Sequence, residues 1–245
     1  MAGVDERVAA GDGVFEAVKV VDGRPFALDL HLGRLAAGAR AVGISYDGAA
    51  LRAQVAATLA REHLPLGRLR IACTGSGTTS VVAAPMAGQP ETAEVVTAPW
   101  PRNERAALAG LKTTAYADNL LALAHAREQG AAEAVFATTA GDLCEGTSTN
   151  VFYVLDGELR TPTLATGCLP GVTRALVLEW YGGREVDEPL EVARGASEVF
   201  LASTTRDVQP VSAWDDVELP VPGPVTKAAQ DAWRDHEDAM LEDVG

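Results

Sequence analysis

The stretch that decides the fold is GDLCEGTSTN, residues 141–150. Glu145 is predicted to lie in a short turn between two apolar segments, ahead of Gly146, three small hydroxyl residues and Asn150. Such a segment is dense in side chains that hydrogen-bond nearby backbone groups. An ordinary surface turn would explain Glu145 alone, so its interpretation depends on the segments on either side.

A lone lysine lies upstream, in LAGLKTTAYADN, residues 108–119. An isolated lysine is usually a solvated surface group. The apolar flanks of Lys112 instead indicate a strand, or the end of a strand, that leads into a buried helix, with the amine facing an interior. Desolvation makes an amine a better nucleophile toward an aldehyde. The residues alone support the surface and the interior interpretations about equally.

A candidate anion site lies downstream, in GCLPGVTR, residues 167–174. A helix that opens near Thr173 would leave backbone amides free, and amides with a threonine hydroxyl make a phosphate cradle. Arg34 offers the planar guanidinium fork that suits a phosphate dianion, although taken alone it fits a surface helix residue. The Ser-Thr-Thr run at 203–205 follows a predicted strand and offers further donors, with a simple hydroxyl-rich loop as the alternative.

Together these parts match what a protein needs to hold pyridoxal phosphate. Lys112 would form a Schiff base, Glu145 would keep the pyridine nitrogen protonated so that the ring acts as an electron sink, and residues 167–174 would bind the phosphate. Other site types have weaker support. The four histidines lack paired metal-ligand spacing, GSG at 75–77 is too short for a dinucleotide fingerprint, and neither a nucleophile elbow nor a Walker loop is present. No metal site is expected.

The composition favours a globular α/β protein. The chain has 245 residues, 47% of them hydrophobic, and no apolar run long enough to span a membrane. Its formal net charge of −14 disfavours nucleic acid and anionic membranes as partners. Residues 1–13 lack the apolar core of a secretory signal, and three scattered cysteines indicate a reducing cytoplasm without disulfides.

Periodicity and turn signals predict an α/β chain of the α+β type with two domains. The first, residues 1–98, is expected to be a small sheet with two helices against it. Asp22-Gly23 is a hairpin turn signal and Asp29 a plausible helix N-cap. Strands are predicted at 14–21, 25–28, 68–73, 80–85 and 93–99, and helices at 30–44 and 49–64.

Residues 99–106 carry two prolines and mixed charges and are interpreted as an interdomain linker. Residues 107–245 then form a C-terminal domain with more strands per residue. Its helices are predicted at 118–130, 172–182 and 224–243, and its strands at 133–140, 150–155, 158–162, 197–204 and 208–214.

Four blocks of this sequence resemble the class IV aminotransferases, the family of branched-chain and D-amino acid aminotransferases and aminodeoxychorismate lyases. They are GDGVFEAVKVVDGRPFALDLHLGRL from Gly11, the segment 110–162 with its CEGTSTN core, CLPGVTRALVLE from Cys168, and VFLASTTRDVQPV from Val199. They follow one another in order over nearly the whole chain. The resemblance implies the fold-type IV architecture, two α/β domains with the cofactor at their interface, usually as a homodimer.

The resemblance also implies roles for individual residues. Lys112 corresponds to the Schiff-base lysine, Glu145 to the acid on the pyridine nitrogen, Leu169 to the residue that packs on the ring, and Tyr116 to a tyrosine near the ring hydroxyl. The phosphate binders correspond to Arg34, Val172, Thr173 and Thr204. Substrate contacts correspond to Phe15, Ala17 and Thr205.

The substrate-reading positions match no subgroup. Lyases of the family often carry threonine where this chain has Ala17, and branched-chain enzymes carry glycine there. D-amino acid enzymes carry basic side chains where this chain has Thr78-Thr79-Ser80, and family members usually have an extra strand before Gly11. The expected function is transfer of an amino group between an amino acid or amine and a 2-keto acid. Aminodeoxychorismate lyase is the alternative, and a non-catalytic homologue is a third.

Overall fold

The computed structural model describes residues 11–62 and 64–244. By their backbone contacts they form two compact units. The first unit comprises residues 11–88, 111–116 and 237–244, and the second comprises 89–110 and 117–236. Whether the chain has separate domains that meet at 99–106 stays a prediction. The strand expected to be short or missing before Gly11 lies outside the described residues.

The first unit contains a four-stranded antiparallel sheet with two helices packed on one face. The strands are β1 (Gly13–Val21), β2 (Arg24–Pro25), β3 (Leu66–Thr74) and β4 (Thr79–Pro85), in the order β2-β1-β3-β4, and the helices are α1 (Leu28–Ala41) and α2 (Gly48–Leu59). Asp22 and Gly23 join β1 to β2 with φ of 48° and 79°. Positive φ at both positions is what a two-residue hairpin needs, so the predicted turn is confirmed.

The side chains of β1 alternate between two faces of the sheet, and the helices cover one of them. Val14, Val18 and Val20 are buried in the core beneath α1 and α2. Because side chains alternate between the faces of a strand, Glu16 must point into the same core while Phe15 points to the other face. Glu16 is fully buried.

The predicted N-cap of the first helix is wrong. Helix α1 begins at Leu28, so Asp29 lies in its first turn, and Ala27 precedes it with a φ of 50°. The Asp29 N–H donates to Glu242 Oε1 at 3.0 Å. A carboxylate more than two hundred residues away therefore satisfies an amide that a local cap would usually hold, and no local sequence pattern reveals it.

The second unit contains the larger sheet. Its strands are β5 (Ala93–Thr97), β6 (Glu133–Ala137), β7 (Leu143–Gly146), β8 (Asn150–Leu155), β9 (Glu158–Thr161), β10 (Arg184–Glu185), β11 (Glu198–Ser203), β12 (Asp207–Trp214) and β13 (Val217–Glu218). Their order is β10-β9-β8-β11-β12-β5-β6-β7, with β13 beside β12. Its helices are α3 (Ala117–Glu128), α4 (Val172–Trp180), α5 (Leu190–Arg194) and α6 (Pro224–Glu237). None of the described helices has the length and apolar character needed to cross a bilayer.

Two predictions for this region are wrong. The strand at 93–99 was assigned to the small N-terminal sheet, but β5 pairs in parallel with β12 and β6. Glu145 was placed in a turn, but it lies in β7 opposite Phe136. Parallel pairing joins residues far apart in sequence, and a four-residue strand is too short to show a clear alternation.

Candidate active site

Glu145 lies where two of the segments singled out from the sequence meet. Its Oε2 accepts the Leu169 backbone N–H at 2.8 Å, and Asn150 Nδ2 donates to the Leu169 carbonyl at 2.9 Å. The Glu145 side chain is 13% exposed. Residues 141–150 and 169–174 are thus in direct contact within the second unit, which leaves a largely buried carboxylate that can accept a further hydrogen bond.

Arg102 holds a fixed positive charge beside this carboxylate. Its Nη2 lies 3.5 Å from Glu145 Oε1, and its Cζ lies 4.2 Å from the centre of the Phe136 ring. Arg102 Nη1 also donates to Asn119 Oδ1 at 3.0 Å, and Asn119 Nδ2 donates to the Thr147 carbonyl at 2.7 Å. Sequence reasoning missed this residue because an arginine next to a proline in a supposed linker carries no local signal of such a contact.

The start of α4 has the form expected of an anion site. The helix begins at Val172, and Gly171 precedes it without a side-chain cap. A Cβ at Gly171 would lie 2.0 Å from Asn150 Oδ1, so a larger residue there would force the Asn150 side chain to move. The predicted helix start near Thr173 is confirmed. Its first-turn amides have no partners within the helix and are available to an anion.

Four buried hydroxyl groups have no hydrogen-bond partner among the described residues, and two of the four lie in segments that the sequence predicts to bind phosphate. These two are Thr173 Oγ1, at the start of α4, and Ser203 Oγ, at the end of β11. A buried hydroxyl without a partner is destabilising unless a ligand or water satisfies it. A phosphate group carries several acceptor oxygens, so these residues fit the group that the sequence predicts. Thr204 and Thr205 follow in the same turn and are half-buried.

Lys112 lies in the first unit, in an extended segment alongside β1. The Phe15 N–H donates to the Lys112 carbonyl at 3.0 Å, and the Thr114 N–H donates to the Gly13 carbonyl at 2.8 Å. Lys112 is half-buried, and its Nζ lies 4.7 Å from the centre of the Phe15 ring. Tyr116 meets the same ring edge-on at 5.6 Å. The interior interpretation of Lys112 is therefore better supported than that of a solvated surface group.

The chain has three lysines, and the other two have different surroundings. Lys19 is 5% exposed and forms an ion pair with Glu237. Lys227 is exposed, with Nζ 3.5 Å from Asp231 one turn further along α6. Lys19 Nζ also lies 5.7 Å from the centre of an aromatic ring, that of Phe26, whereas Lys112 is the lysine at the ring of Phe15.

Arg70 is a second cation at the Phe15 ring, and sequence reasoning missed it. It lies on β3 opposite Ala17, with its Cζ 4.2 Å from the ring centre. A signal was present, because Arg68 and Arg70 alternate with the buried Leu69 and Ile71. A period of two places both arginines on the face away from the core.

Arg34 is fixed by a buried carboxylate. Its Nε and Nη2 donate to the two oxygens of Glu16 at 2.7 and 2.6 Å, and His31 Nδ1 lies 2.8 Å from Glu16 Oε2. Burial by itself would raise the pKa of Glu16, but the hydrogen bonds and charges of Arg34 and His31 outweigh it and lower the pKa to about 2. An ionised carboxylate only accepts hydrogen bonds, so His31 Nδ1 carries the proton between them. Taken alone, Arg34 fits a free surface residue, but in the structure Glu16 holds its side chain.

The predicted site residues divide between the units. The second unit holds Glu145, Leu169, Val172, Thr173, Thr204 and Thr205, and the first holds Phe15, Ala17, Arg34, Lys112 and Tyr116. Their individual roles stay predictions.

Comparison with known proteins gives a consistent result. Residues 13–214 match the family described as amino-transferase class IV. The chain is similar to D-alanine aminotransferase of Bacillus licheniformis, with 30% identity over 91% of this chain and 86% of that protein. A fold IV transaminase from Curtobacterium pusillum superposes with a TM-score of 0.82 at 30% identity, covering 94% of this chain and 87% of the other. A candidate 4-amino-4-deoxychorismate lyase from Legionella pneumophila superposes with a TM-score of 0.90 at 22% identity over 96% and 95% of the two chains, and shows the same fold.

Proposed function

Because the chain belongs to the class IV aminotransferase family, whose members depend on pyridoxal phosphate, we propose that it is an aminotransferase using that cofactor. It moves an amino group between an amino acid or amine and a 2-keto acid. The observation that carries the proposal lies in the second unit. There Glu145 contacts the Leu169 amide next to an uncapped helix start whose Thr173 hydroxyl is buried and unpaired.

The proposed contacts hold pyridoxal phosphate at its phosphate group and at its ring. Thr173, Thr204 and the Val172 amide bind the phosphate, together with the guanidinium of Arg34. Leu169 packs on the ring, and Tyr116 reaches the ring hydroxyl. Lys112 attaches the cofactor covalently. When bound, pyridoxal phosphate supplies an electron sink for negative charge at the substrate Cα.

Two residues handle protons in this proposal. Once the substrate amine has displaced it from the cofactor, the free Lys112 Nζ would take the proton from the substrate Cα and return it at the C4′ carbon, as a general base and then a general acid. Glu145 keeps a proton on the pyridine nitrogen through a charge-assisted hydrogen bond. The Arg102 guanidinium at 3.5 Å and the Leu169 N–H both face the Glu145 carboxylate, which has capacity to accept that further hydrogen bond.

Arg70 is our candidate for recognition of the substrate carboxylate. Amino acids and 2-keto acids share this group, and a guanidinium binds it through two parallel hydrogen bonds. Arg70 lies at the ring of Phe15, as does the Lys112 amine, and opposite Ala17. Arg70→Leu should therefore raise KM for both amino donor and keto acid more than it lowers kcat.

Ala17 favours transamination over the lyase reaction. A threonine hydroxyl at this position could hold the group that leaves as pyruvate, whereas a methyl group makes no hydrogen bond. Aminodeoxychorismate lyase stays the alternative, since the Legionella protein shares the fold. If the preference is right, Ala17→Thr should raise trace pyruvate release without producing a full lyase.

One pair of assays tests the proposal. Purified protein with pyridoxal phosphate is given D-alanine or branched-chain L-amino acids with 2-oxoglutarate, and separately aminodeoxychorismate. We expect keto-acid-dependent amination that disappears in Lys112→Ala. Release of pyruvate and 4-aminobenzoate without amination would establish the lyase, and bound cofactor without turnover of any substrate would indicate the non-catalytic homologue.

We also propose that the protein is a cytoplasmic homodimer. Leu120 and Leu121 on α3 are 60% and 61% exposed, which is unusual for adjacent large apolar residues and is consistent with burial against a second copy. Cys73, Cys144 and Cys168 are all free thiols, as in a reducing compartment. Light scattering after size exclusion tests the dimer, and fractionation of the native cell tests the location.

A further inference from the structure

A buried carboxylate holds the turn that follows Glu145. Glu133, the first residue of β6, is fully buried. Its Oε1 accepts the Thr147 hydroxyl and the Ser148 N–H, the latter at 3.0 Å, and its Oε2 accepts the Ser148 hydroxyl at 3.0 Å. The turn closes tightly on this side chain, because a Cβ at Gly146 would lie 3.1 Å from Glu133 Cγ. The direction of the chain leaving Glu145 therefore depends on Glu133.

The same carboxylate also contacts the turn between β11 and β12. Arg206 Nη2 lies 3.4 Å from Glu133 Oε2 and donates to the Ala132 carbonyl at 3.2 Å. The Arg206 N–H donates to the Ser203 carbonyl at 3.1 Å and closes the turn that contains Thr204. The Arg206 side chain is 13% exposed, so solvent screens this ion pair only weakly.

One ion pair thus contacts two turns that are also neighbours in the sheet, because Asn150 after the first turn pairs with Ala202 before the second. Glu133 itself lies on β6, which β12 and β5 separate from β11, so the ion pair adds a link that strand pairing does not make. The turn after β7 begins next to Glu145, which we assign to the pyridine nitrogen. The 203–206 turn carries the Ser203 hydroxyl, which has no hydrogen-bond partner among the described residues. It also carries Thr204, which we assign to the phosphate. In pyridoxal phosphate these two groups are joined by a short covalent linkage, so the distance between them varies only within narrow limits.

We propose that Glu133 and Arg206 are positioning residues that match the spacing of these two turns to a single cofactor. The proposal rests on the proposed function. Stability alone explains the pair poorly, because buried ion pairs are often no more stabilising than apolar side chains of similar size. Burial raises the pKa of Glu133 despite Arg206, Thr147 and Ser148, so holding its charge inside the protein is unfavourable. A geometric role gives a reason for keeping it there.

The test measures the affinity of the apo protein for pyridoxal phosphate and for pyridoxal, which lacks the phosphate. Arg206→Met should weaken pyridoxal phosphate binding about tenfold, the scale on which outer contacts change ligand affinity, and leave pyridoxal binding within about twofold. Arg206→Lys keeps the charge and should restore most of the loss. Glu133→Gln should weaken binding of the phosphate form to a similar extent, and the double variant should be no worse than Arg206→Met, because the two act as one unit.

Arg160→Met is the matched control. Arg160 pairs with Glu188 at 2.8 Å in the same unit and is also 13% exposed, but it touches neither turn. It should lower thermal stability and leave the ratio of the two affinities unchanged. If Arg206→Met behaves like Arg160→Met, or if Glu133→Gln leaves the ratio at the wild-type value, the pair is only structural. Wild-type protein that binds neither compound would instead refute the proposed function.

Discussion

Each unit contains one fully buried glutamate, and the two have opposite protonation behaviour. Glu16 in the first unit has its pKa lowered to about 2, whereas burial raises the pKa of Glu133 in the second. Burial acts in the same direction on both. The difference is that Arg34 approaches Glu16 with two hydrogen bonds at 2.7 and 2.6 Å, while Arg206 lies 3.4 Å from Glu133 and hydroxyl and amide groups make the closer contacts. The geometry of the charged partner, more than burial, decides the direction in which the pKa of a buried carboxylate moves.

The contrast separates two ways of building a binding site. In the first unit, a carboxylate whose pKa is lowered to about 2 orients the guanidinium of Arg34, the residue we assign to the phosphate. In the second unit, Glu133 is held mainly by neutral groups and shapes a turn. Substitutions at the two positions should therefore differ in size and in pH dependence.

Glu16→Gln should have the largest effect on stability. A shift from the ordinary 4.5 to about 2 is about 2.5 pKa units, which at 1.36 kcal/mol each gives a loss of about 3 kcal/mol near pH 7. Because the folded pKa lies below the ordinary value, this stabilisation is complete above pH 4.5 and is lost as the pH falls from 4.5 toward 2. Urea unfolding at pH 7 and pH 3 measures it. Asp29→Asn, which removes the exposed partner of Arg52, should change nothing measurable, and an equally small change in Glu16→Gln would contradict the account.

Gly146→Ala should have the second-largest effect on stability, because it opens the turn that Glu133 holds. The new Cβ would lie 2.2 Å from Thr149 Oγ1, and relieving the overlap should cost about 2 kcal/mol. Gly33→Ala is the control, since its Cβ would meet nothing within 4 Å on helix α1 and should stabilise by up to about 1 kcal/mol. Thermal unfolding compares the two, and a neutral Gly146→Ala would mean that the turn is not fixed by Glu133.

Glu133→Gln should change the free energy of unfolding by no more than about 1 kcal/mol at pH 7, because the amide keeps an acceptor for Thr147 and Ser148. The folded pKa lies above the ordinary value, so the wild type loses stability as the pH rises from 4.5 through the folded pKa. The variant lacks this loss. The difference in Tm, variant minus wild type, should rise with pH for Glu133→Gln and fall with pH for Glu16→Gln. If the two Tm differences changed with pH in the same direction, the pKa values of Glu16 and Glu133 would not be shifted in opposite directions.

Thr173→Val should have the smallest effect on the apo protein. Its hydroxyl has no partner, so unfolding should change by less than about 0.5 kcal/mol while affinity for pyridoxal phosphate falls. Thr161→Val is the matched control, since that buried hydroxyl donates to the Val151 carbonyl at 2.8 Å and its loss should destabilise by about 1 kcal/mol. Equal losses in the two variants would show that Thr173 is an ordinary structural residue.

Local patterns predicted most of the elements. A run of β-branched and aromatic residues predicted β1, turn chemistry predicted Asp22-Gly23, and a glycine predicted the end of α3. These signals lie within a few residues of the structure they describe. The same reasoning placed β5 in the wrong sheet, because its partners β12 and β6 lie far along the chain.

The candidate site followed the same division. Lys112, Glu145 and the start of α4 were found from their own segments. Arg102, Glu133 and Arg206 were missed because each acquires its role from a residue more than ten positions away. Glu16 could have been found from the sequence. A charged residue among Val14, Val18 and Val20 on the buried face of one strand requires a partner, and Arg34 on the next helix was available.

Reductive labelling tests the central claim most directly. Protein incubated with pyridoxal phosphate is reduced with borohydride, digested and mapped by mass spectrometry across its three lysines. The account predicts pyridoxyl on Lys112 alone, with loss of the label and of turnover in Lys112→Ala while the thermal stability of the apo protein is retained. Label on Lys19 or Lys227, or no label under conditions in which the cofactor binds, would contradict it.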